Sequence, residues 1–287
     1  GSDLSVEFDK IIMTEPEISM INPNVNNPCL ILPSNVCVEL GEYQFNLSAA
    51  NVGAINLPLS TESYYIIYQR CCRNNNIVNL PFINGNSQGS TYEIFVTRTA
   101  LLSCGTAQNQ PILKFAAQPP IRFCIGTAEL IDQSVDASIL TLVDSVVYSL
   151  CSPSGGGSIA CPNPGGPMGN TCTNYPFNSG PVLYNSGYNA QQPLGAQSTI
   201  TINSSTGELY VLPRGPNQGL FVVNICATAY KDGIRYSNIS RDLQYSIFDC
   251  GDNDAGVPEV AGGTDNVGGT SNSDTSYIIF CGSLTAD

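Results

Sequence analysis

At 287 residues the chain has room for two domains or for one large all-β domain. Its net charge of −13, from 23 acidic and 10 basic residues, repels phosphate backbones and makes nucleic acid a poor partner. Only 11% of residues are charged, histidine is absent and no apolar run reaches the length of a membrane span, which sets aside charge-rich helices, histidine-based metal or nucleophile chemistry and a helical membrane span.

In chain order, residues 4–13 alternate well enough for a first strand, and residues 22–33 follow as a polar, proline-punctuated loop. Residues 36–47 read as a strand, a bend at Gly41 and a second strand. In residues 63–80, S-Y-Y-I-I-Y-Q-R-C-C-R-N-N-N-I-V-N-L, two mostly apolar faces predict a central strand covered on both sides. Asn74, Asn75 and Asn76 suit a turn into a second short strand. Residues 84–90 turn into a strand at 91–99, and Cys104 closes a first unit.

Two proline signals in residues 109–120 mark a crossover into a second unit. That unit is predicted to hold a short strand at 121–125, a buried strand at 144–150 and a hairpin over 199–213. A long apolar strand at 220–230, a turn at Lys231, Asp232 and Gly233, and a last strand at 240–250 complete it. Residues 152–181 form a long Gly/Pro loop, which serves either as a contact surface or as a stapled structural element. Residues 251–276 read as a flexible acidic linker, and residues 277–281, Y-I-I-F-C, as a strand with nothing after it to pair with.

The twelve cysteines are Cys29, Cys37, Cys71, Cys72, Cys104, Cys124, Cys151, Cys161, Cys172, Cys226, Cys250 and Cys281. An even number in a chain of this size points to an oxidising compartment and a set of disulfides, against the alternative of buried free thiols. Cys29 and Cys37 are spaced to staple the loop between them, and Cys161 or Cys172 is expected to anchor the long loop to the body. Because bonding across a single peptide is strained, Cys71 and Cys72 are expected to take separate partners.

Without histidine no nucleophile system stands out, and no two carboxylates are singled out for acid–base work. Calcium is the one cofactor considered: Asp249, Asp252 and Asp254, with Asn253 and Gly256, place oxygen ligands at close spacing, although an acidic linker has the same composition. Arg70 and Arg73 suit either a bound carboxylate or glycan, or internal carbonyls and acids. Tyr64, Tyr65 and Tyr68 suit either a sugar-stacking face or, as alternation within a strand favours, core packing.

Several strings resemble a module of large surface proteins of Bacteroidota that are exported by type IX secretion and associated with gliding motility. They are L-P-S-N-V-C-V-E-L-G-E-Y at 32–43, Y-Q-R-C-C-R-N at 68–74, V-Y-S-L-C-S-P at 147–153, Y-N-A-Q-Q-P-L-G at 188–195, T-G-E-L at 206–209, F-V-V-N-I-C at 221–226 and R-D-L-Q-Y at 241–245. Where such modules carry an acidic calcium string before V-Y-S-L, this chain has D-A-S-I-L-T-L-V-D at 136–144, without the glycine and middle carboxylate. The second half also resembles cadherin- or immunoglobulin-like sandwiches, and the tail resembles the opening strand of a PKD-like module.

The resemblance implies an all-β, disulfide-rich fold of two tandem immunoglobulin- or cadherin-like β-sandwiches, at 1–118 and 119–250. A linker at 251–276 and, at 277–287, the first strand of a following module or an exchanged strand complete the expected organisation. The implied function is an extracellular structural or adhesive module of a bacterial surface filament, appendage or adhesin, and not an enzyme. The alternative is a glycan-binding module of a larger secreted protein or enzyme. Expected partners are neighbouring modules or copies of the same chain, joined by strand addition, and a cell-surface or glycan ligand.

Overall fold

The computed structural model of the chain describes residues 17–21, 38–42, 63–83, 87–97, 113–161 and 180–250. Among them the protein is all-β, with eleven strands, one 3-10 turn at Ile139–Thr141 and no α-helix. Several expectations lie outside the described residues: the strand at 4–13, the Cys29–Cys37 staple, Cys104, Cys172, the linker at 251–276 and the strand at 277–281.

The organising element is a long hairpin of β10 (Gly219–Lys231) and β11 (Ile234–Phe248). Asp232 and Gly233 join them with φ of 52° and 73°, the doubly positive geometry of a two-residue turn whose twist matches the flanking strands. On one side β10 pairs with β7 (Ser145–Leu150). On the other, β11 pairs first with β4 (Ser90–Val96), itself paired with β3 (Tyr64–Arg70), and then in parallel with β5 (Arg122–Cys124). A second sheet has the order β6 (Glu129–Asp132), β9 (Glu208–Leu212), β8 (Thr199–Ile202). A separate pair, β1 (Glu17–Ile21) and β2 (Val38–Glu42), runs antiparallel from Glu17 opposite Glu42 to Ile21 opposite Val38.

Alternation in β10 decides how the sheets pack. Phe221, Val223, Ile225, Ala227 and Ala229 face the three-stranded sheet and form one core with Ile131, Ile200, Leu209, Val211, Leu243 and Tyr245. Each fully buried valine, leucine, isoleucine or phenylalanine among them contributes about 1.5–3 kcal/mol of transfer free energy. The opposite face of β10 is not left to water. Residues 77–80 run across it, so that Ile77, Leu80 and Val182 pack on Val222 in a second, smaller cluster.

Asn79 fixes that strap. It is fully buried and donates its amide protons to the Pro193 and Val222 carbonyls (2.9 and 2.8 Å), while its oxygen accepts the Val222 N–H at 3.0 Å. Two disulfides bind the hairpin to its surroundings, Cys151–Cys226 from the end of β7 to β10 and Cys124–Cys250 from β5 to the end of β11.

Four expectations change. The boundary expected at 118/119 is crossed by hydrogen bonding, since β3 and β4 belong to the sheet that the long hairpin organises. β3 is not covered on both sides: Tyr65 and Tyr68 point to opposite faces and are 54% and 51% exposed. The second short strand after the asparagines reduces to one bridge between Ile77 and Leu220. Cys71 and Cys72 bond to each other instead of to separate partners, with their Cα atoms 3.0 Å apart across a cis peptide.

Candidate functional site

The site arises where the large sheet divides. β4 follows β11 only as far as Ile94 opposite Ile239, and β5 joins only at Ser246, so no named strand lies beside the intervening stretch of β11 on that side. The chain leaving β3 crosses this gap as R-C-C-R-N. The result is an open cleft of about 330 Å³ with the Cys71–Cys72 disulfide in its wall.

Two tyrosines line the cleft. Tyr68 of β3 and Tyr92 of β4 are register partners, with ring centroids 6.1 Å apart and planes inclined by 31°. Tyr92 is 42% exposed, so both rings offer apolar surface to the solvent. Arg70 donates from Nη1 to the Tyr68 hydroxyl at 3.2 Å and holds that ring in place. Facing them, Asn74 donates from Nδ2 to the Gln244 Oε1 at 2.6 Å, joining the strap to β11. This bond leaves the Asn74 carbonyl as an acceptor and the Gln244 amide as a donor.

Arg73 forms the floor. Its side chain is 3% exposed and meets Asp242, 5% exposed, at 2.6 Å; Nε and Nη2 donate to the Gly89 and Ser154 carbonyls, each at 3.1 Å. One guanidinium therefore joins β11, the entry to β4 and the loop after β7. Burial pushes the Asp242 carboxyl above its ordinary value, and the Arg73 charge opposes that only in part. Behind it, burial also raises the Tyr184 phenol to about 12. On the opposite face Arg235 stacks over the Phe95 ring at 3.7 Å, and burial raises the Glu93 carboxyl while Arg235 lowers it.

Glycine makes the close approach possible. Thr91 donates its N–H to Ser154 and its hydroxyl to Gly155, so residues 154–157 run directly beneath β4. A Cβ on Gly89 would overlap the Gly156 carbonyl, and one on Gly156 would overlap the Thr91 hydroxyl. Of the two roles open to the long loop, residues 154–157 take the structural one, as a support beneath β4. Residues 162–179 of the same loop lie outside the described residues.

The remaining sequence-based candidates divide as follows. Asp249 is exposed at the end of β11, whereas Asp252 and Asp254 lie outside the described residues. No group of three acidic, cysteine or histidine side chains among the described residues is placed to hold a metal ion. All seven described cysteines, Cys161 included, are in disulfides. Arg73 takes the internal role and Arg70 reaches the cleft. Tyr92 and Gln244 escaped the sequence reading, because their place depends on the register of β4 and on the strap reaching β11. The arrangement offers ring stacking and amide hydrogen bonds.

No protein-family model, curated protein or solved structure matches the chain.

Proposed function

We propose that the chain is an extracellular structural or adhesive module of a bacterial surface filament, appendage or adhesin, exported by type IX secretion. One observation carries this reading: five of the seven strings on which the resemblance rests, far apart in sequence, converge on one framework. Y-Q-R-C-C-R-N supplies Arg73 and the vicinal disulfide, R-D-L-Q-Y supplies Asp242 and Gln244, and V-Y-S-L-C-S-P with F-V-V-N-I-C supplies the Cys151–Cys226 bond. Y-N-A-Q-Q-P-L-G supplies the Pro193 carbonyl that holds Asn79. Motifs that meet in space in this way describe a scaffold, and its disulfides suit an oxidising exterior.

In this reading the sandwich is immunoglobulin- or cadherin-like, residues 251–276 are a linker, and 277–287 are the first strand of a following module or an exchanged strand. Partners are neighbouring modules or further copies, and the module is not an enzyme. Among the described residues no helix is long and apolar enough to cross a membrane. Immunogold electron microscopy of the producing cell, with antibodies against residues 113–250, tests the proposal. Label on surface filaments or on the outer face supports it, and label confined to the cytoplasm refutes it. The second reading, a glycan-binding module, is favoured by the exposed Tyr68 and Tyr92 rings.

A further inference from the structure

We propose that the cleft between Tyr68, Tyr92 and the Asn74–Gln244 pair binds a pyranose unit of a neutral oligosaccharide. This rests on the glycan-binding reading and assigns it a site. About 330 Å³ lies within the range of about 300–1,000 Å³ in which small-molecule sites fall. A pyranose presents an apolar C–H face and a rim of hydroxyls, and the cleft holds the complement of both.

Tyr68 and Tyr92 supply the apolar side. Two half-exposed aromatic rings on adjacent strands form a platform that costs little conformational entropy to order, because the ladder already fixes their backbones. Arg70 restricts the Tyr68 hydroxyl further. The polar side is the Asn74–Gln244 bond, which uses one donor and one acceptor and leaves the opposite pair, an amide donor and a carbonyl acceptor, for two neighbouring sugar hydroxyls. Among the described residues behind the cleft, the buried charges of Arg73 and Asp242 neutralise one another; Arg70 places one guanidinium at the cleft, on the Tyr68 hydroxyl, and the chain carries a net charge of −13. The net negative charge disfavours a sulfated or sialylated glycan and favours a neutral one.

The framework makes the site rigid. The disulfide fixes the wall, Arg73 ties three segments beneath it, and Gly156 lets the supporting loop approach the backbone. A site preorganised in this way loses little on binding, so a single sugar unit gives measurable affinity.

The test is isothermal titration of the intact, oxidised 287-residue protein with neutral oligosaccharides of glucose, N-acetylglucosamine, mannose and galactose, alongside sulfated and sialylated probes. Binding of at least one neutral probe is expected, weakened about tenfold or more by Tyr92→Ala through loss of ring stacking. Tyr92→Phe should retain it, and Gln244→Ala should weaken it. Tyr65→Ala, on the opposite face, serves as the control and should leave it unchanged. If Tyr92→Ala does not fold by circular dichroism, Gln244→Ala carries the test, since it removes one amide without emptying a core position. No binding of any neutral probe, binding unchanged in both cleft variants, or binding only of salt-sensitive anionic probes overturns the proposal. Sugar binding without surface label would sink the adhesive reading and leave the site intact; surface label without sugar binding would do the reverse.

Discussion

Replacing Arg73 by methionine keeps much of its bulk and removes its charge, which leaves Asp242 buried without a partner. Both side chains are almost fully excluded from solvent, so water cannot take over from the guanidinium. Breaking such a pair from one side costs about 3–5 kcal/mol. The Gly89 and Ser154 carbonyls each lose a donor as well, at about 1 kcal/mol apiece. Together these give a loss of about 5–7 kcal/mol, a large share of the stability of an ordinary domain. Removing both charges, as in Arg73→Met with Asp242→Leu, should recover roughly half of it or more, because no stranded charge remains.

The pH dependence carries the sharper test. The Asp242 carboxyl is already raised above its ordinary 3.8 by burial, and losing Arg73 removes the main influence lowering it. In the window between 3.8 and the raised native value, the native state holds a proton that the unfolded chain has released. Stability therefore rises as the pH falls through that window and declines as the pH rises through it. The deficit of Arg73→Met relative to wild type should shrink on acidification, a comparison in which the other carboxylates cancel. Guanidinium unfolding under non-reducing conditions, followed by circular dichroism at several pH values, measures both quantities. A loss below about 1 kcal/mol, or a deficit that does not change with pH, would refute the account of Arg73 as the buried tie.

Four further outcomes follow from named contacts. Gly156→Ala should lower the melting temperature far more than Gly126→Ala, because a Cβ meets the Thr91 hydroxyl in the first case and nothing within 4 Å in the second, where only the positive φ costs about 1–2 kcal/mol; equal shifts would contradict the close approach. Asn79→Ala strands backbone groups on Val222 and Pro193 and should cost about 2–4 kcal/mol in denaturant titration. Converting Cys151 and Cys226 together to alanine opens a crosslink across 75 positions and should cost about 2–5 kcal/mol by the same measurement. In alkaline titration followed by phenolate absorbance, Tyr184, raised to about 12, and Tyr245, raised further by complete burial, should ionise well above the ordinary phenol value of 10.0. Since the unfolded chain loses those protons first, stability should fall as the pH climbs past 10.

The strands that the sequence made legible are those whose local pattern matches their burial. The strand at 220–230 and the Asp232-Gly233 turn are examples, because an apolar run and a two-residue turn signal act within a few positions of each other. β6, E-L-I-D, carries only one buried side chain, Ile131, and its pattern is too short to register. β3 misled for a different reason. Tyrosine counts as apolar in a periodicity, yet its hydroxyl and flat ring tolerate half exposure, so Tyr65 and Tyr68 looked like core when they are surface. On the same strand the polar Gln69 is buried, and Thr91 accepts its amide.

The pairing of Cys71 with Cys72 and the cleft beside it were beyond local patterns for a shared reason. Each depends on where the chain goes after β3. Had residues 71–80 continued away from the sheet, the two cysteines would have been free to face different neighbours. Instead Arg73 is drawn to Asp242 across 169 positions and Asn79 to Val222 across 143, which folds the strap back over β10. That return closes the space left where β4 parts from β11, and it brings Asn74 to Gln244 opposite the two tyrosines. The buried tie and the open cleft are therefore two sides of one event. A substitution that released the strap would abolish the cleft even with Tyr68, Tyr92 and Gln244 untouched, whereas emptying the cleft of its tyrosines leaves the strap's buried contacts in place.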